Sequence, residues 1–195
     1  AFSYFLSGYE NAALLTLDGV GEWSTATRGI ARGGRIILDD EIRYPHSLGL
    51  FYSAIAEHLG FSAVGGEGKL MGLAAYGKPA LLTELRKVLQ AGSDGGFALD
   101  PAFFAFRRGR RMGSPRLATL LGAPRQEGEP LSRQHEDIAA SAQALLEEVI
   151  LANARSLRER HRVEDLCLGW GVALNCLANG LLRKSGVFRN VFVPP

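Results

Sequence analysis

Three short glycine-bearing stretches hold most of the residues whose types and spacing could do chemistry. The first is Asp18-Gly19-Val20-Gly21-Glu22-Trp23. An apolar run delivers a carboxylate, and two glycines then turn the chain back. Glycine lets backbone N–H groups come close to an anion. Such a hairpin suits the grip of a nucleotide phosphate, with Asp18 beside a metal ion or a water and Gly19, Gly21 and Glu22 along the turn. Asp-Gly is also a strong turn signal in its own right, so a plain hairpin accounts for this motif taken alone.

The second stretch is Gly65-Gly66-Glu67-Gly68-Lys69, ahead of a helical pattern. Glycines before a helix suit an anion or a polar ligand. Lys69 could neutralise phosphate charge, and Glu67 could hold a ribose hydroxyl or a metal-bound water. The structural alternative is a flexible start to the helix, and the G-x-x-x-x-G-K-[ST] spacing of a P-loop is absent. The third stretch, Gly169-Trp170-Gly171-Val172-Ala173-Leu174-Asn175, falls between a strand pattern and a helix pattern. Ligands of open α/β sheets bind beyond the carboxyl ends of strands, at turns of this kind. Gly171 would allow close approach, and Asn175, in the first turn of the helix, could hydrogen-bond a base or a ribose. Tight strand–helix packing through glycine is the alternative there. Three such corners on one chain point jointly to a nucleotide pocket, more than any one does.

Other features carry less. Phe106-Arg107-Arg108-Gly109-Arg110-Arg111 could bind phosphates or be a solvated loop. His46 precedes a helix and could shape a site or make a structural hydrogen bond. His135 reads as a first-turn surface or capping residue, and His58 and His161 as ordinary helix residues. Cys167 and Cys176 have apolar neighbours and read as buried, reduced thiols. No CxxC pair, nucleophile elbow or zincin motif is present, and no catalytic residue is assigned.

The elements that must position these corners follow from periodicity. Ala12–Asp18 reads as a buried strand, Glu22–Ile30 as a second and Arg35–Ile42 as a third, joined by short glycine turns into an antiparallel meander. Ser47 is a plausible N-cap for a helix that places Leu48, Phe51, Ile55 and Leu59 on one face and stops at Gly60. Glu67–Ala74 and Pro79–Leu89 read as two more helices. Residues 91–131 are irregular and rich in Gly, Pro and Arg, and residues 60–131 as a whole include an insertion. Ser132 opens a long helix to about Arg160, with acids near its start and bases at its end. Asp165–Leu168 is a strand, Val172–Lys184 a helix and Asn190–Val193 a last strand, which implies a parallel pair with a crossover. The predicted order is therefore β-β-β-α-insertion-α-β-α-β. That α/β order is the one of a ribonuclease-H-like half of the actin, sugar-kinase and heat-shock ATPase fold, with helices packed on a sheet of three antiparallel and further parallel strands.

Composition sets the frame. The 195 residues are 47% hydrophobic and 22% charged, with a net charge of +2. This is ordinary globular usage and not the lopsided charge of a dedicated nucleic-acid binder. No stretch approaches the roughly twenty apolar residues of a membrane span, and no signal peptide is visible, so the expected location is the cytoplasm with neither nucleic acid nor membrane as partner. Both ends read as cuts within a longer polypeptide.

Five stretches together carry a resemblance: LTLDGVGEWSTA (15–26), YPHSLGLFYSAIAEHLGF (44–61), GEGKLMGLAAYGKP (66–79), LSRQHEDIAASAQ (131–143) and DLCLGWGVALNCLANGLL (165–182). In this order they are similar to the bacterial O-carbamoyltransferases of nodulation-factor and antibiotic biosynthesis. The resemblance implies that residues 1–195 are part of an N-terminal catalytic core, its second ribonuclease-H-like half. In that family a separate domain turns carbamoyl phosphate and ATP into carbamoyl-adenylate, and the core transfers the carbamoyl group to a hydroxyl of a sugar or natural product. By the family pattern Asp18, Gly19, Gly21 and Glu22 line the phosphate hairpin, Glu67 and Lys69 face the nucleotide, and Gly171 and Asn175 approach the adenosine. The core also holds an iron-type divalent metal, with a histidine motif expected just before Ala1 and an aspartate expected after Pro195, outside this chain.

Two positions depart from the pattern. Trp170 stands where the family favours a second glycine, and Ala75 where it usually has proline. An indole at a backbone-close turn could block adenosine or force another backbone path. Two other readings therefore stay open: a degenerate nucleotide-binding or interaction module, and a sugar kinase of the same ATPase superfamily.

Overall fold

The computed structural model describes residues 1–62, 65–105, 111–126 and 128–194. These form two compact units. The first comprises residues 1–49, 91–97 and 147–195, and the second residues 50–90 and 98–146.

The first unit is built on a mixed five-stranded sheet. Its strands are β1 (Asn11–Leu17), β2 (Ser24–Arg32), β3 (Arg35–Arg43), β6 (Asp165–Gly169) and β7 (Asn190–Phe192), in the order β3-β2-β1-β6-β7. The first three form the expected meander: β1 pairs antiparallel with β2, and β2 with β3. Parallel pairing joins β1 to β6 and β6 to β7. Central β1 is buried along nearly its whole length, which is why it reads as a continuous apolar run rather than an alternating one. Edge strand β3 is largely exposed and carries Asp39, Asp40, Glu41 and two terminal arginines, the charged composition that blunts a free edge. Tyr4, Ala12, Leu14, Ala31 and Cys167 form one core cluster, with Tyr9, Ile36 and Phe192 packed beside it. Tyr4 belongs to α1 (Phe2–Ser7), a short helix that the sequence reading did not anticipate.

The second unit is mostly helical. It contains most of α2 (Leu48–His58), then α3 (Glu67–Ala74), α4 (Leu82–Leu85), α5 (Pro115–Leu121) and the first half of the 29-residue α6 (Arg133–His161). Phe51, Ile55 and Leu59 are fully buried, as the helical stripe requires, together with Leu70, Leu85, Leu117 and Leu121. Polar bonds fix this packing from within. The Tyr52 hydroxyl donates to Gln143 Oε1 at 2.7 Å, and the Arg125 guanidinium donates through Nε to the Leu59 carbonyl at 2.7 Å. His135 Nδ1 accepts from the Ser132 N–H at 3.0 Å, the capping role expected of it.

Several expected boundaries shift for local reasons. Only Leu82–Leu85 of the helix expected over Pro79–Leu89 is helical, and Leu89–Ala91 is instead β4, paired with β5 (Phe97–Leu99). Leu81 stands as the N-cap of this short helix, and its N–H donates to the Ser141 hydroxyl at 2.9 Å. The expected insertion does hold short elements, among them α5, whose Ser114 cap and Pro115 at the first position give a legible start signal. The helix expected over Val172–Lys184 splits into a 3-10 turn, Gly171–Leu174, and α7 (Cys176–Lys184). Asn175 is therefore the N-cap of α7 and not a residue of its first turn. Cys176, expected to be buried, is exposed: the inward face of α7 is carried by Ala178 and Leu182. Cys167 is buried and free. Of the basic run, residues 106–110 lie outside the described residues.

Candidate functional site

Asp18 stands at the carboxyl end of β1, where the chain leaves the sheet. Its N–H donates to the Thr25 carbonyl at 2.8 Å and closes the hairpin. One carboxylate oxygen, Oδ1, accepts from the Gly19 N–H at 2.7 Å. Gly21 adopts φ 56°, and a Cβ there would lie 2.6 Å from the Ser24 carbonyl oxygen, so the turn needs glycine on both conformational and steric grounds. Val20, Glu22 and Trp23 are exposed along it.

The hairpin is held from behind by the start of α2. The Ser47 hydroxyl donates to the Asp18 carbonyl at 2.9 Å. The Thr25 hydroxyl faces the Ile42 and His46 carbonyls and donates between them. Gly49 packs on the Asp18–Gly19 peptide so tightly that a Cβ would meet the Asp18 carbonyl oxygen and the Gly19 nitrogen and Cα, each at 2.8 Å. Sequence reasoning passed over Gly49. Its one signal was a glycine inside the first helical turn, where the helix itself has no use for it.

The corner after β6 comes to the same place. Because β6 runs parallel to β1, with Gly169 beside Thr16, the two chains leave the sheet at the same end. A Cβ on Gly171 would lie 3.5 Å from Asp18 Oδ1. Asn175 is buried, and its Oδ1 accepts from the Ala178 N–H at 3.0 Å as the cap of α7. Trp170 takes φ 72° and ψ −175°, and its side chain is exposed. So Trp170 does not divert the backbone from the path a glycine would take. Six of the eight residues singled out in the sequence, Asp18, Gly19, Gly21, Glu22, Gly171 and Asn175, thus belong to the first unit, where Asp18 and Gly171 meet.

The other two belong to the second unit. Glu67 begins α3, and its Oε1 accepts from the Ser53 hydroxyl at 2.6 Å. Lys69 follows in the same turn with an exposed side chain. The second unit also holds a cavity of about 310 Å³ lined by Glu57, His58, Ser114 and Arg125 among others. None of the eight residues lines it, and most of its polar groups are engaged in holding the fold: Glu57 Oε2 accepts from the Met112 N–H at 2.6 Å. We therefore place the candidate site at the Asp18–Gly171 corner rather than in that cavity. His58 is 6% exposed, and among the described residues its Nε2 has no hydrogen-bond partner. Burial, with the nearby His135 adding to it, pushes this imidazole down to about 4.

Chemically, a carboxylate at a phosphate-sized turn repels a phosphate unless a cation lies between them. Mg²⁺ is commonly held in just that way, by one or two carboxylates together with substrate phosphates. Asp18 has the chemistry for one such contact. Among the described residues no three His, Cys, Asp or Glu side chains gather as a metal site.

Two backbone corners meet here at the carboxyl ends of adjacent parallel strands, the end of an open α/β sheet at which ligands bind in general. Comparison with known proteins makes the class specific. The whole chain, residues 1–195, matches the family described as carbamoyltransferase N-terminus, and the chain belongs to that family. It is 43% identical over its full length to the uncharacterised protein sll1178 of Synechocystis. It is 33% identical over 99% of its length to nodulation protein NolNO of Sinorhizobium fredii, and 32% over 99% to nodulation protein NolO of Bradyrhizobium diazoefficiens. The chain spans about a third of the length of these relatives: 32%, 27% and 33% respectively.

Proposed function

We propose that the chain is the nucleotide-holding part of an ATP-dependent O-carbamoyltransferase. The transferred group comes from carbamoyl-adenylate, made from carbamoyl phosphate, water and ATP with release of phosphate and pyrophosphate, and the acceptor is a hydroxyl of a sugar or natural product. The observation that carries this reading is the meeting of Asp18 and Gly171, at 3.5 Å from oxygen to a would-be Cβ, beyond the ends of β1 and β6. The strand order β3-β2-β1-β6-β7, with three antiparallel strands followed by parallel ones, supports a ribonuclease-H-like half. Family membership supplies the chemistry.

In this reading the hairpin Asp18–Glu22 lies against the phosphate of the adenylate, and Asp18 reaches it through a divalent cation. Gly171 keeps the space beside Asp18 open. Glu67 and Lys69 are carried by the family resemblance as nucleotide-facing residues. Transfer needs the acceptor hydroxyl held against the carbamoyl carbon, with AMP leaving, and its rate comes from that positioning and from stabilised charge at the carbamoyl oxygen. An iron-type metal in the whole protein would supply Lewis acidity at that carbon. The family resemblance puts the ligands of that metal outside residues 1–195.

The test is product analysis on the full-length protein with carbamoyl phosphate, ATP and a panel of hydroxyl acceptors. AMP and pyrophosphate should appear one-for-one with carbamoylated acceptor. ADP with a phosphorylated sugar would instead identify a kinase. Glu67→Gln and Lys69→Ala should each reduce turnover, and full activity in both would remove these two residues from the site.

A further inference from the structure

Trp170 sits in a backbone conformation that side chains avoid. Its φ of 72° with ψ of −175° falls in a region essentially reserved for glycine. A glycine would make this turn without strain. Burial of the indole does not compensate, because Trp170 is 67% exposed. Leu174, at the far end of the same 3-10 turn, is 70% exposed. The residue between Trp170 and the rest of the turn is Gly171, the one that meets Asp18. A strained, solvent-facing aromatic therefore stands directly beside the corner read above as the nucleotide site. Asn175 Oδ1 accepts from the Ala178 N–H as the cap of α7.

We infer that Trp170 is a specificity-determining residue whose indole stacks on the adenine ring of the bound nucleotide. The inference rests on the nucleotide reading of this corner. An indole offers a broad flat apolar face, and bases stack on such faces with appreciable affinity. The larger purine face gains more from it than a pyrimidine. Strain held at a single exposed residue is explained when that residue touches the ligand, as strained positions cluster at such sites.

The test is titration calorimetry on the full-length protein, using ATP, CTP and inorganic triphosphate against wild type, W170F and W170G. W170G should bind ATP about tenfold more weakly, lose its preference for ATP over CTP and keep its affinity for triphosphate. W170F should retain most of the preference. Urea denaturation of W170G serves as the folding control, since relief of strain leaves it at least as stable as wild type. Equal or tighter ATP binding by W170G would overturn the inference while leaving the nucleotide reading in place. No binding of ATP or triphosphate by wild type would remove both.

Discussion

At the scale of single residues, Gly21, Gly49 and Gly171 differ in what they are for, and substitution can tell them apart. Gly21 is required by its backbone angle and by the Ser24 carbonyl, and Gly49 by its contact with the Asp18–Gly19 peptide. Gly21→Ala and Gly49→Ala should each destabilise the fold by about 1–3 kcal/mol, read as a lowered urea midpoint. Gly171 is different: an added Cβ meets Asp18 Oδ1 only at ordinary contact distance, 3.5 Å. Gly171→Ala should therefore leave stability unchanged within about 0.5 kcal/mol and lower ATP affinity. A variant that unfolds, or one that binds ATP normally, would contradict that assignment. Trp170→Gly should raise stability by about 1–3 kcal/mol, the release of its backbone strain. His58 gives a pH signature. Its folded value of about 4 lies below the ordinary 6.5. The unfolded chain takes up the proton first as pH falls, so the stabilisation is complete above about pH 6.5 and is lost between there and about pH 4. The difference is on the order of 3 kcal/mol. Urea melts of wild type and His58→Gln from pH 7 to 4 should diverge by that much, and parallel curves would show that the neutral imidazole contributes nothing.

At the scale of elements, one ionic network ties the exposed edge of the sheet to the end of α6. Arg28, buried on β2, pairs with Asp40 on β3 at 2.6 Å and donates to the Asp94 carbonyl at 2.8 Å. Arg160 reaches both Asp39 and Asp40, and His161 Nε2 lies 2.6 Å from Asp39. Burial by itself would raise the Asp40 carboxyl, but the bonds from Arg28 and Arg160 outweigh it and hold the group below the usual carboxylate range. The sign follows from that depression: this stabilisation is present above the unfolded value near 3.9 and is lost as pH falls through the lower folded value. Arg28→Met should cost on the order of 3 kcal/mol at pH 7 and flatten the acid limb of the stability profile.

The same scale explains what could be read from the sequence. The meander, α2, α3 and α6 were legible because each carries its own period and its own punctuation: Asp18-Gly19, Gly33-Gly34, Gly60 and Ser132. The turns at Asp18 and Gly171 were legible because each places glycine directly after an apolar strand pattern. What escaped was set by partners distant in sequence. The Ser141 hydroxyl takes the Leu81 N–H at the start of α4, and the side chain of Asn175 caps α7 and so divides a helix that periodicity alone would run through. Gly49 carried only the weak signal of a glycine in a first helical turn, because the Asp18–Gly19 peptide that it admits is distant in sequence. His58 looked like any helix histidine, since burial is not a local property.

At the scale of the whole molecule, the chain spans between about a quarter and a third of the length of its nodulation and cyanobacterial relatives. No helix among the described residues is long and apolar enough to cross a membrane. The central claim is that the corner formed by Asp18 and Gly171 is where a nucleotide sits. A crystal structure of the full-length protein with a non-hydrolysable ATP analogue and Mg²⁺ tests it most directly. The expected density places the phosphates along Asp18–Glu22, a cation on Asp18, and the adenosine past Gly171 with its base against Trp170. Analogue bound elsewhere, with the Asp18–Gly171 corner filled only by solvent, would contradict the account.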